Sequence, residues 1–359
     1  MTGSSSGSLN RMARFRWLKD GLWITVIAIL LVVTTVFSTL LGPVRISAWT
    51  VFNVFVTQIP FIGGFFHLNI PETSYVIVVF LREPEIIGAI VVGASLGTGG
   101  AVVQSVFRNP ITEPYIIGIS SGAALGAVSA IVFSITIFGL FSVQAMAFAL
   151  ALIVVMAVYL FSFHGSKTPP TYLLLTGISI SLFISSIVGL LIYTNVKLEN
   201  AAFFWLLGSL QGITWTELLP VSIVVVITSA IMWGMSGQLN AFQLGETYAH
   251  SVGVPVEKTK ALLMGIVALS VSAAVSISGL IGFVGLIIPH ICRLLFGGSN
   301  RIVIPTSALL GALFLLLADD VARTAVRGEV IPVGIVTGMI GIPFFLYLLR
   351  RMASGSYEN

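Results

Sequence analysis

Charged residues are scarce in this sequence. Of its 359 residues only 8% are charged and 57% are hydrophobic, and the mean hydropathy is +1.07. So little polar sequence excludes a separate water-soluble domain of ordinary size. The stretch from Gly21 to Leu41 carries no charge and is long enough to cross a bilayer, because a span needs about 20 predominantly apolar residues. The sequence therefore predicts an integral membrane protein.

Cysteine is also nearly absent, which excludes an intrachain disulfide. Cys292 is the single example, and we interpret it as a small packing residue. The four histidines lack both H-E-x-x-H spacing and companion carboxylates; they are His67, His164, His250 and His290. No resident metal centre is predicted from either residue type.

Apolar segments recur along the whole chain. Ten spans are predicted, at residues 18–41, 86–107, 115–138, 142–163, 172–194, 216–236, 260–278, 283–296, 303–320 and 331–349. Threaded alternately, they leave twelve Lys and Arg residues on the side of the N-terminus and five on the other side. Cytoplasmic loops carry the excess of positive charge, so both termini are predicted to be cytoplasmic. The predicted organisation is a tail at 1–17, a transmembrane domain at 18–351 and a tail at 352–359.

Glycine spacing predicts how some helices pack and where one breaks. Glycines repeat every four residues from Gly118 to Gly126, which puts them on one helix face and favours close packing against a neighbour. The glycines from Gly279 to Gly285 interrupt an apolar run, so a break between two short helices is predicted there. The stretch from Pro43 to Glu85 is predicted to be an irregular external connection with a short interfacial or re-entrant piece.

Two features suggest alternative functions. Gly118–Gly122 matches G-x-S-x-G with Ser120 at the nucleophile position, but that motif needs a strand, a turn and a helix, and the context here is helical. Asp319 and Asp320 precede Arg323 by four and three residues, so at least one carboxylate shares a helix face with it. The pair is either a structural ion pair at the membrane edge or a proton or cation site of a secondary transporter.

The polar stretch between the predicted sixth and seventh spans has a distinct pattern. Leu244–Val254 predicts a short amphipathic helix that is ended by glycine and lies on the inner side of the membrane. A solvated loop does not need such a helix. The segment can transmit force if its apolar and acidic faces enter a groove on a partner protein.

Several motifs together resemble a known family. They are Leu81–Glu85, Gln104–Ala123, Leu244–Val254 and Gly282–Arg293, followed by Ala318–Arg323 and Ile331–Gly334. On these motifs the chain, from Gly21 to Arg351, resembles the permease subunits of type II ABC importers for iron-siderophores, haem and cobalamin. The resemblance implies an all-α membrane protein of about ten transmembrane helices in the plasma (inner) membrane.

The same resemblance implies partners and a substrate class. The partners are a second permease copy, cytoplasmic ABC ATPase subunits and an external solute-binding protein, and no nucleic acid is involved. The chain itself would hold no cofactor and would be no enzyme, because ATP and Mg are bound by the partner ATPase. The implied substrate is a large metal chelate, foremost an iron(III)-siderophore, with haem or cobalamin as alternatives.

The resemblance also implies site residues. ATPase coupling is expected at Leu244, Gly245, Glu246, Ala249 and Gly253. Arg82 and Arg323 stand where external arginines of the family meet acidic residues of the binding protein, whereas Glu85 replaces a further arginine and would repel an acidic partner. The cytoplasmic gate is expected at helix ends beside Pro110 and Pro114. Its expected residues are Asn109, Ile111, Pro170 and Thr171. The alternative is that these prolines only end helices and form ordinary loops.

Overall fold

The computed structural model describes residues 5–58, 70–165, 167–326 and 328–355. Within these ranges the chain is built from helices and loops. The α-helices are α1 Ser5–Ser38, α2 Ala48–Gln58, α3 Glu72–Val76, α4 Glu83–Phe107, α5 Ile119–Val132, α6 Ser142–Phe161, α7 Pro170–Thr194, α8 Glu199–Leu206, α9 Trp215–Gly234, α10 Ser236–Gln243, α11 Glu246–Ser251, α12 Val256–Ser278, α13 Val284–Phe296, α14 Asn300–Thr324 and α15 Val333–Gly355.

The number of membrane-crossing helices agrees with the sequence prediction. Over the described ranges, seven helical segments are long and apolar enough to cross a membrane, and α5, α13 and the Val333–Tyr347 part of α15 are shorter apolar helices. Each of the ten predicted spans coincides with one of these helices. The predicted all-α architecture of about ten transmembrane helices is confirmed.

The connection before the second span is more regular than predicted. Its described part contains α2, and from Glu72 the chain is helical through a π-helical stretch at Ile77–Arg82 into α4. The second span therefore begins well before residue 86. Pro84 explains the widened turns, because it has no N–H to donate to the preceding turn, and i→i+5 bonding accommodates that loss.

Helix α4 lies at the centre of the bundle, where it packs against α9, α12, α13 and α14. It approaches both α13 and α14 closely, since a Cβ at Gly100 would lie 2.0 Å from the carbonyl oxygen of Gly285 and a Cβ at Gly93 would lie 2.3 Å from that of Gly311. Helices α5 and α6 meet in the same way, and a Cβ at Gly126 would lie 2.2 Å from the carbonyl oxygen of Met146. The predicted glycine-mediated packing of α5 is confirmed.

A cluster of buried charges lies where α1 and α14 end. The Arg323 guanidinium contacts Asp319 at 2.8 Å and Asp320 at 2.7 Å, and the Ser38 hydroxyl donates to Asp320 at 2.7 Å. Only 1% of Arg323 is exposed. The structure therefore shows the ion pair that was one of the two interpretations of the Asp319–Asp320 sequence.

Arg82 is held beside this cluster. Its guanidinium donates to the carbonyl oxygen of Thr39 at 2.7 Å and to that of Val44, and only 3% of the residue is exposed. Arg82 and Arg323 thus have partners inside the chain, and in this structure neither is presented at the surface. Sequence reasoning missed this burial because the carbonyls that receive Arg82 lie 43 and 38 residues away along the chain.

We expect Arg323→Gln to destabilise the protein strongly. The change leaves Asp319 and Asp320 buried without a cation, and breaking a buried ion pair costs about 3–5 kcal/mol. Thermal unfolding of the detergent-solubilised protein measures the effect, and Arg45→Gln is the control because Arg45 is exposed. Equal unfolding temperatures for the two variants would show that the cluster does not stabilise the fold.

Candidate functional site

The predicted short helix between α10 and α12 is present as α11. It is bounded by Gly245, at φ +117°, and Gly253, at φ +85°, conformations that L side chains rarely adopt. After the second glycine the Val254 N–H donates back to the carbonyl oxygen of Ala249 at 2.9 Å and closes the helix. The prediction of a glycine-bounded helix within Leu244–Val254 is confirmed.

Exposed apolar residues lie on this short helix and directly before and after it. Leu244, Tyr248 and Val252 follow one another at four-residue spacing and are 68%, 47% and 54% exposed. We call these three residues the apolar face. Ala249 is fully buried within the chain, so its predicted part in coupling does not include a surface that a partner can reach directly. Sequence reasoning missed Tyr248 and Val252, although their spacing from Leu244 was readable.

Glu246, at the start of α11, is held by a buried lysine. Lys260 of α12 is fully buried, and its Nζ lies 2.9 Å from Glu246 and 3.1 Å from Glu257. The same Nζ donates to the carbonyl oxygen of Thr168 at 2.8 Å. Thr168 in turn donates its backbone N–H to Glu257 at 3.0 Å. These contacts bring together α11, α12 and the segment that leads into α7.

The structure brings predicted coupling and gate residues to one cavity. A cavity of about 410 Å³ is lined by Leu244–Tyr248 on one side and by Arg108, Lys167, Pro169 and Pro170 on the other. The gate candidates Ile111 and Thr171 are exposed. Asn109 shapes the turn that carries the first gate candidates, because its Oδ1 accepts the N–H of Ile111 at 3.1 Å. The gate candidate Pro170 is therefore a neighbour of the predicted coupling residues in space, although 74 positions separate it from Leu244 in sequence.

Beyond Ile111 the chain folds back into the bundle as Glu113–Gly118. Pro114 packs beside Gly99, which is eight residues before the end of α4, about 12 Å along its axis. Because this stretch forms a 3-10 turn, α5 begins only at Ile119, later than the span predicted from residue 115. The break predicted at the glycines from Gly279 is present between α12 and α13.

The two irregular segments bind each other. The Tyr115 hydroxyl donates to the carbonyl oxygen of Ile281 at 3.0 Å and accepts its N–H at 3.3 Å. The Glu113 carboxyl lies near the backbone N–H of Phe283. The segment that follows the first gate residues is thus fixed to the break before α13.

Ser120 lies in the first turn of α5, in the helical context that the sequence predicted. The neighbouring Ser121 hydroxyl lies 3.1 Å from that of Ser181 on α7. A 3-10 helix and Gly118 precede α5, in place of the strand that a nucleophile elbow requires, so the nucleophile interpretation of Ser120 is wrong.

Comparison with known proteins agrees with this architecture. A model of the FecCD transport family matches residues 30–351. The cobalamin import system permease protein BtuC of Halobacterium salinarum is 44% identical over 283 residues, covering 79% of this chain and 75% of that protein. The molybdate import system permease protein MolB of Haemophilus influenzae is 36% identical over 295 residues, covering 81% and 86%.

A solved structure shares the fold. It is that of a metal-chelate type ABC transporter in an inward-facing conformation; it has a TM-score of 0.78 and 33% identity, and the match covers 92% of this chain and 99% of that one. The family match extends over most of the chain, including the helices that carry the apolar face and the gate segments. The chain therefore belongs to the FecCD transport family and is a multi-pass ABC importer permease of the plasma membrane.

Proposed function

We propose that this permease imports a large metal chelate and that a partner ATPase drives it through the apolar face of α11. The main support for this proposal is the exposed apolar face, because Leu244 and Tyr248 line one cavity together with the gate candidate Pro170. A transporter driven by an ion gradient has no need of such a face. ATP and Mg would be bound by the partner ATPase, and the permease would supply the path.

The substrate is proposed at the level of its class. An iron(III)-siderophore is the first candidate, on the sequence resemblance. Cobalamin is the second, because the Halobacterium relative carries that name at 44% identity. The name of the Haemophilus relative refers to molybdate, so the shared fold alone does not select the substrate. Selection by an external binding protein accounts for this diversity.

The outer side would receive that binding protein. Docking through Arg82 and Arg323 is still a prediction, and with both side chains buried it requires the Thr39–Val44 loop to open. Arg45 is exposed immediately after that loop and is a cation that an acidic partner can reach first. Contact there would pull on the carbonyl groups that hold Arg82.

We expect cells that lack this permease to lose uptake of one chelate, and the chain to restore it. Radioiron-labelled siderophore and radiocobalt-labelled cobalamin separate the two candidates. Uptake should stop when ATP is depleted and continue when the proton gradient is collapsed with ATP maintained. Uptake that follows the proton gradient instead would favour a secondary transporter, and unchanged uptake of both labels in the deletion strain would refute both substrates.

We expect Tyr248→Asp and Val252→Asp each to reduce ATPase co-purification and transport by about tenfold or more. A charge in the centre of a desolvated interface costs roughly 2 kcal/mol or more, because it loses water without gaining a partner. Thr247→Asp is the matched control, since it adds the same charge to the same helix beside the apolar face. An equal loss in all three variants would contradict the assignment of this face.

The gate residues are proposed to meet their counterparts in a second copy of the chain around a central path. We expect Ile111→Cys or Thr171→Cys, each in a Cys292→Ser background, to form a crosslink between two copies in one nucleotide state and not in another. Short bifunctional reagents and electrophoresis detect it. Crosslinking that is independent of the nucleotide state, or none in any state, would place the gate elsewhere.

A further inference from the structure

An ion cluster around a buried lysine connects α11 to the start of α7. It consists of Lys260, Glu246, Glu257 and Thr168, which we call the Lys260 node. The ammonium group of Lys260 lies 2.9 Å from Glu246, 3.1 Å from Glu257 and 2.8 Å from the carbonyl oxygen of Thr168. Glu257 accepts both the backbone N–H and the hydroxyl of Thr168. Every member of the node is thus bound to at least one other.

Burial makes this node resist separation. Lys260 and Thr168 are fully buried, and an ammonium group is costly to bury unless partners replace its water. Its partners come from three elements, namely α11, the first turn of α12 and the segment before α7. Moving α11 away from α12 would remove Glu246 from the lysine. Moving the Thr168 segment away would remove a carbonyl acceptor and break both bonds to Glu257.

Helix α10, which precedes α11, is bound to α14 and through it to α4. Helix α10 is held to α14, because Asn240 Oδ1 accepts the backbone N–H of Asn300 at 2.8 Å. Asn300 in turn accepts the Ser105 hydroxyl of α4 at 2.8 Å. These contacts fix α10 to the central helices, whereas the Lys260 node is the polar connection from α11 toward α7.

A displacement of Thr168 would move the predicted gate residues at the start of α7. Pro169 and Pro170 follow it, and their fixed φ angles make this junction stiff. Pro170 is the first residue of α7 and Thr171 the second, and both are gate candidates. The chain therefore offers a short and rigid connection from the node to this gate.

We propose that Lys260 is a positioning residue that transmits movement of α11 to the start of α7, so that ATPase action at the apolar face changes the gate. This inference rests on the proposed function. Lys260 is fully buried and acts through Glu246, Glu257 and Thr168. Under this proposal, the coupling of ATP hydrolysis to transport depends on the Lys260 node, whereas binding of the ATPase does not.

The test compares Lys260→Met with Lys258→Met in the full transporter reconstituted in liposomes. Lys258 is exposed, two residues away, and is the matched control. The readouts are substrate transported per ATP hydrolysed and the nucleotide dependence of the Thr171→Cys crosslink. For Lys260→Met we expect the transport ratio to fall by about fivefold or more, as for a lost coupling energy of ordinary size. The crosslink should become independent of nucleotide.

Further variants keep the test decisive if Lys260→Met does not fold. Glu257→Gln removes one carboxylate but leaves Glu246 beside the lysine, so we expect a smaller loss of the transport ratio. Lys260→Arg keeps the charge and should retain most of the ratio. Normal ratios and a normal crosslink response in Lys260→Met, or in Glu257→Gln if Lys260→Met does not fold, would overturn the proposal. Wild-type protein without ATP-dependent uptake would instead refute the proposed function.

Discussion

The fold depends on a constraint that the bilayer imposes on the backbone. Lipid offers no hydrogen bonds, so irregular backbone inside the bundle has to be satisfied by protein. Glu113–Gly118 and the break between α12 and α13 meet this demand by binding each other, with Tyr115 both donating to and accepting from Ile281. Helices α5 and α13 can therefore be short, and the chain can turn back into the bundle beside the predicted gate residues Asn109 and Ile111.

Buried charge is used at both ends of the bundle in the same way. At one end Arg323 joins two carboxylates of its own helix and reaches toward the loop after α1. At the other end Lys260 joins carboxylates from α11 and α12 to the backbone before α7. In each cluster a cation with several N–H donors binds carboxylate and carbonyl oxygens from elements that are distant in sequence. Both clusters therefore hold loops against helices at the ends of the bundle.

Sequence patterns predicted the features that depend on local composition. The ten spans follow from runs of apolar residues, and α11 follows from an amphipathic stretch between Gly245 and Gly253. Burial of Arg82 and Ala249 could not be read in this way, because it depends on residues brought together only by tertiary packing. The π-helical turns before Pro84 were missed for another reason: a proline reads as a helix start, and only the structure shows the helix continuing through it.

The apolar face has a consequence for the life of the chain before assembly. Leu244, Tyr248 and Val252 lie outside the membrane-spanning helices, so a newly inserted copy without its partner exposes them to water. Such a patch attracts chaperones, proteases and other unassembled chains. If the ATPase covers this face, as proposed above, the abundance of this permease is tied to the supply of the ATPase, and expressing the permease alone at high level favours aggregation even when every span is correctly inserted.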